Sequence, residues 1–232
     1  RYDEIMGQSL RIGKLDCMYA RQSEARIAYV LYPMETLGAW IDDAARRYDV
    51  SIVVITGMDW DDDMTPWPAK GVPAGTADFK GDAPRFMASL QGAVMPEVEK
   101  AIWIHPVERN LIGVSLSGLF TMWQWAMYGI FNNIASLSGS FWYEGFADWF
   151  DKNMTVKGGR AFLLLGDREA DSRILQFRSV AAETQRVVAR LKEIGIKTEF
   201  EHVPGDHFAD PVGRLDRAFA TLFSPIGGAK VG

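Results

Sequence analysis

This sequence is short of cysteine, of histidine and of positive charge, and each shortage removes a class of protein. A single cysteine, Cys17, excludes an internal disulfide and favours a reducing compartment. It stands apart from any His or Asp motif and reads as a packed residue rather than a reactive one. Lys and Arg number 25 against 30 Asp and Glu, a net charge of −5. Nucleic acid and anionic membrane surfaces call for basic patches, so neither is expected as a partner. The longest apolar run, "LFTMWQWAMYGIF", is too short to span a bilayer and is interrupted by Gln124. No signal peptide opens the chain, which begins at Arg1, and a cytoplasmic location is expected.

Aromatic residues, by contrast, are plentiful, with 8 Trp and 13 Phe in 232 residues. That exceeds what a core of this size needs, and part of the excess is expected to line an apolar cleft. "VSIVVITG" is a continuous β-branched run of the kind buried on both faces of a parallel sheet. "CMYA" and "RIAYVLYP" read as strands joined by the polar turn "RQSEA", and "NLIGV", "NIASLSG", "RAFLLLG" and "KTEFEHV" as further strands. "WIDDAARRYDV" and "MPEVEKAI" read as helices, and residues 172–194 carry an amphipathic period that stops at Gly195. "ADPVGRLDRAFATLF" opens a last helix with Asp210 as N-cap and Pro211 at its first position.

Strands alternating with helices predict an α/β class, a mostly parallel, doubly covered sheet in three layers. No repeat or linker divides the chain, so one domain is expected over residues 1–232, with frayed ends at about 1–8 and 226–232. The least regular stretch, residues 58–85, is long for a compact domain, and its tryptophans favour a functional loop.

Chemistry is expected at the carboxyl ends of such strands. "NLIGVSLSGLF" places Ser115 between a strand and a helix, the context of a nucleophile elbow. The pattern misses G-x-S-x-G by one residue, since Ser117 stands in place of the second Gly, and G-x-S alone also occurs at Gly7-Gln8-Ser9. Position decides between the two serines. Ser115 falls at the tip of the turn, and Ser117 falls in the first helical turn, where its hydroxyl serves the backbone. No Lys follows Gly118, so a phosphate-cradling loop is disfavoured. Of the 3 His, His105 precedes the elbow strand and His202 lies within the last strand, whereas His207 follows that strand in "PGDHFADP". His207 thus occupies the position of a general base in the chain order Ser, acid, His. The acid belongs in "GDREAD", which offers Asp167, Glu169 and Asp171.

Five segments in order, "DWDDDMTPWPA", "GVSLSGLFTMW", "SLSGSFWYEG", "GDREADSR" and "PGDHFADPVGR", resemble the small enterochelin-esterase-like, esterase D-like branch of the α/β-hydrolases over about residues 26–223. The resemblance implies an α/β-hydrolase fold without a large lid domain and ester hydrolysis without metal or cofactor. It maps the nucleophile on Ser115, the base on His207 and the acid on Glu169, as G-x-x-E. The oxyanion hole would use the N–H of Leu116 and one from the loop after "AYVLYP"; Pro33 has none, which leaves Met34. Trp60, Trp67 and Trp142 are expected as apolar walls for substrate.

Three departures mark the chain. Ser117 replaces Gly or Ala, Tyr32-Pro33 replaces Asp-Gly, and acids stand where an arginine often precedes D-x-T-P. A siderophore substrate is therefore not carried over. The expected activity is that of a serine carboxylesterase on a small ester, with acyl transfer or an inactive ligand-binding hydrolase fold as alternatives. The oligomeric state is left open, a homo-oligomer included.

Overall fold

A computed structural model describes residues 8–34 and 37–223. The ends expected to fray therefore lie, apart from Gln8, outside the described residues. Among these, eight strands form one sheet in the order β1-β2-β4-β3-β5-β6-β7-β8. They are β1 (Gln8–Ile12), β2 (Leu15–Ala20), β3 (Arg26–Leu31), β4 (Ser51–Thr56), β5 (Glu108–Val114), β6 (Asn133–Leu137), β7 (Arg160–Gly166) and β8 (Lys197–Val203). β2 is antiparallel to both its neighbours, and the strands from β4 to β8 in that order pair in parallel.

The sheet is buried on both sides because the middles of its central strands are mostly apolar on both faces. Ile27, Tyr29 and Leu31 of β3 enter one core, while Ala28 and Val30 enter the other. Helices α1 (Gly38–Tyr48) and α8 (Pro211–Leu222) cover the second face. The first is covered by α3 (Ala83–Ser89), α4 (Met95–Ala101), α5 (Leu116–Tyr128), α6 (Phe146–Asn153) and α7 (Val180–Glu193). The expected three layers are present, with no large lid among the described residues. Between α3 and α4 the helix passes through one π-helical turn, Leu90–Val94.

Helix α5 differs from the others in being mostly apolar on every side, with only Ser117, Thr121 and Gln124 polar among its first ten residues. Residues 116–125 are all buried, because the helix lies between the sheet and the outer helices. Leu119 and Phe120 are wholly inaccessible, each contributing about 1.5–3 kcal/mol by burial. This anchored helix fixes the elbow at its own N-terminus.

Three expectations are corrected. β2 and β3 are not partners across "RQSEA", since the β-branched β4 inserts between them and pairs with both. The helix expected from residue 172 begins only at Val180; a 3₁₀ turn, Leu175–Ser179, precedes it, and Ile174 and Phe177 turn toward a cavity. The stretch 58–85 holds a short helical turn, α2 (Trp60–Asp63), and the start of α3. Its irregular middle is closed by backbone bonds between Ala69 and Phe79, and its ends are joined by Asp82 N–H to Asp62 O (2.8 Å) and Ala83 N–H to Thr65 O (3.1 Å).

Candidate active site

The parallel strands all end at one edge of the sheet, and β5 passes into α5 through the single residue Ser115. Ser115 there has φ 55° and ψ −121°, a conformation that costs an L residue about 1–3 kcal/mol. Two neighbours make it feasible. A Cβ on Gly113 would lie 2.1 Å from the backbone oxygen of Ser117, so no larger residue fits. Ser117 itself is buried, donating from its hydroxyl to Leu31 O (2.7 Å) and accepting from Val114 N–H (2.8 Å). It therefore ties the elbow to the end of β3 and is turned away from the cleft.

The loop after β8 brings His207 Nε2 to 3.0 Å from Ser115 Oγ, and the loop after β7 brings Glu169 Oε2 to 2.9 Å from His207 Nδ1. A carboxylate can only accept, so Nδ1 carries the imidazole proton and the lone pair of Nε2 faces the serine. Burial pushes the Glu169 carboxyl up, but hydrogen bonds from His207, the Ser138 hydroxyl and the Gly166 N–H outweigh this and hold it below its usual 4.5. Asp171 lines the same cavity without touching His207, and Asp167 accepts instead from Gly205 N–H (2.9 Å). Of the other histidines, His105 and His202 are both exposed, and His202 packs on Phe200.

These groups open into a cavity of about 600 Å³, well within the range of small-molecule sites. Trp60 and Trp142 line it, as expected. Trp67 does not: its indole N–H donates to Glu144 O (3.0 Å) and its ring packs among Tyr143, Phe146 and Trp149. Its place is taken by Phe79 and Phe177, the latter 4.6 Å from Trp142 between ring centroids. Leu116 lines the cavity as the first residue of α5, where a helix N–H has no partner within the helix. Met34 lies in the exposed loop beyond β3 and is not among the lining residues. Of the acids in "DWDDD", Asp59 and Asp63 bind Lys14 (2.6 and 2.9 Å) and Asp62 binds Lys80 (2.7 Å); Asp61 alone borders the cavity.

Sequence reasoning missed three polar residues here. Ser138 (φ 52°) donates to Glu169 Oε1 at 2.5 Å, Ser140 Oγ stands 3.4 Å from Ser115 Oγ, and Arg214 lies buried behind the acid. Each belongs to a quoted segment, "SLSGS" or "PVGR", but nothing in the residue types announced an inward direction.

Strand order, the strained serine at the end of β5 and helices on both faces decide the architecture. The fold is that of the α/β-hydrolases. Solved structures that share this fold include the IroE-like serine hydrolase from Shewanella oneidensis (TM-score 0.79, 15% identity, covering 95% of this chain and 80% of that one). The siderophore hydrolase EstA from Aspergillus nidulans has a TM-score of 0.70 and 18% identity, covering 93% of each chain. The BES protein from Bacillus cereus has a TM-score of 0.73 and 15% identity, covering 96% and 97%. The siderophore hydrolases among them come from the branch that the sequence motifs resemble; at these identities the likeness is one of fold. In sequence, the uncharacterized protein YbbA of Bacillus subtilis (strain 168) is 28% identical over 162 residues, 67% of this chain and 65% of that protein, just under two thirds of its length. No protein-family model matches the chain. No described helix is long and apolar enough to cross a membrane.

Proposed function

We propose that this protein is a serine carboxylesterase acting on small, uncharged esters. The observation that carries the reading is the 3.0 Å approach of His207 Nε2 to the hydroxyl of a serine held at φ 55°. A serine is a poor nucleophile unless a base takes its proton, and a strained turn presents it clear of its own helix. In the proposed reaction Ser115 Oγ bonds to the carbonyl carbon as its proton passes to His207 Nε2. The carbonyl oxygen gains the negative charge and is met by the N–H of Leu116. The tetrahedral species then collapses, the C–O bond to the alcohol breaks, and His207 returns its proton to the leaving oxygen. Water repeats the sequence on the acyl-enzyme. Glu169 keeps the imidazole in the required tautomer and stabilises its charged form.

Aromatic lining from Trp60, Phe79, Trp142 and Phe177 supports a flat or short acyl group. The same lining contains Asp61, Asp171 and Asp206 against Arg168, which disfavours polyanionic esters. A fluorophosphonate probe tests the reading, because only an activated serine reacts. Label mapped to Ser115 and lost in Ser115→Ala, together with turnover of a short aryl ester, is expected. Absence of both label and turnover in the folded protein overturns it.

A further inference from the structure

Arg214 is buried to 5% exposure on the inner side of α8, beneath the acid, and its guanidinium reaches three separate segments. Nη1 donates to Ser138 Oγ (2.7 Å), to Glu169 Oε1 (3.1 Å) and to His207 O (3.4 Å), and Nη2 donates to Asp206 O (2.6 Å). Gly166 makes room for it, since a Cβ there would lie 2.9 Å from Arg214 Nη2 and 2.5 Å from Gly205 O.

The arrangement has an electrostatic consequence. A buried carboxylate beside a neutral imidazole would itself attract a proton, and the pair would settle as carboxylate and imidazolium. His207 would then be a base already spent. A fixed positive charge on the far oxygen of Glu169 opposes that. The other charged groups around His207 are Asp61 from the α2 segment, Arg168 and Asp171 from the loop after β7, and Asp206 from its own loop. Asp61, Asp171 and Asp206 are its negative neighbours; of the cations named here, only Arg214 touches the acid.

We propose that Arg214 is the positioning residue of this site, locking Ser138, Glu169 and the His207 loop into one unit and keeping the His207–Glu169 pair free of an extra proton. The proposal rests on the hydrolase reading for its kinetic consequence but not for its electrostatic one. The test compares wild type with Arg214→Met, Arg214→Gln and Arg214→Lys. In the two neutral variants the acid limb of the kcat/KM profile moves to higher pH by about one unit or more, as loss of an adjacent charge requires. Activity on the acid side of the limb then falls about tenfold for each pH unit the limb moves and partly recovers in alkali. Arg214→Lys restores the position of the limb, while its kcat stays below wild type because the planar fork is lost. A lower rate at every pH with an unmoved limb shows a purely structural role and overturns the proposal.

Arg214→Gln carries the test if Arg214→Met does not fold. The His207 ring-proton titration, followed by NMR and assigned with His207→Gln, reads the same quantity without catalysis. Its midpoint rises in the neutral variants, and an unchanged midpoint overturns the proposal. If wild type takes no fluorophosphonate and cleaves no ester, the hydrolase reading fails while this titration still decides the role of Arg214.

Discussion

Two residues either side of Ser115, the chain tolerates very different changes. Gly113 meets backbone, so Gly113→Ala has to displace the first turn of α5, and loss of fluorophosphonate labelling or of folding is expected. Ser117 meets backbone only through its hydroxyl. Ser117→Ala leaves Leu31 O and Val114 N–H without that partner and should cost about 1–3 kcal/mol in denaturant unfolding, with Ser115 still labelled. The acid is tested in the same way: Glu169→Gln should lower kcat far more than Asp171→Asn, since only Glu169 reaches His207. Its carboxyl also links stability to pH. A carboxyl held below its unfolded value contributes stability that is fully present above that value and is lost as pH falls through the folded one. The difference in melting temperature between wild type and Glu169→Gln should thus be largest above about 4.5 and close in stronger acid. Cys17 is the counter-case. Burial, with Asp16 adding, pushes its thiol up to about 12, and a thiol reagent should leave it unmodified in the native protein at neutral pH.

At the scale of elements, residues 172–179 form the wall of the cavity that faces Trp142. An aromatic pair is worth about 0.5–1.5 kcal/mol beyond its area, so Phe177→Ala should raise KM for an aryl ester roughly 2- to 10-fold and leave kcat nearly unchanged. This wall also shows where the sequence stops being legible. Its amphipathic period runs unbroken into α7, and nothing local reveals that Ile174 and Phe177 line the cavity instead of covering the sheet. The strands were legible because they are buried on both faces, as "SIVVIT" is at every position. Their pairing was less so: a polar "RQSEA" between two strands looks like a hairpin until β4, buried along its whole length, pairs with each instead. The hairpin of β1 and β2 turns at Gly13 (φ 59°), a signal visible in "RIGKL" but weak beside the exposed polar side chains of β1. Ser115, Glu169 and His207 could be found because each sits just past a strand end. Ser138 follows β6 in the same way, but a serine in a turn announces nothing until its neighbours are known.

For the molecule as a whole, charge is distributed so that the cleft keeps a small acidic bias after most of its neighbouring acids are consumed. Lys14 and Lys80 pair with Asp59, Asp62 and Asp63 and offset two of their three charges, and Asp61, Asp171 and Asp206 are left facing what enters. Neutral esters should be cleaved with higher kcat/KM than carboxylated esters of matched size, and the gap should narrow as salt shortens the Debye length from about 8 Å toward about 3 Å at molar strength. A preference for the anion that fades with salt would contradict the assignment of these acids to the cleft.

The bonds that join the two ends of the stretch after α2 have one more consequence. Within that stretch, residues 70–78 leave and re-enter the body between Ala69 and Phe79, whose backbones bond to each other in both directions, while Trp67 and Phe79 stay packed against the core. That makes the segment a cassette. A related hydrolase could donate its own version, of different length, at little cost, because closing a longer loop between fixed ends adds only about 0.6 kcal/mol per doubling. Such a graft should change which acyl group is accepted while Ser115 keeps its reactivity toward fluorophosphonate. Evolution could then vary the menu of this protein without touching its chemistry.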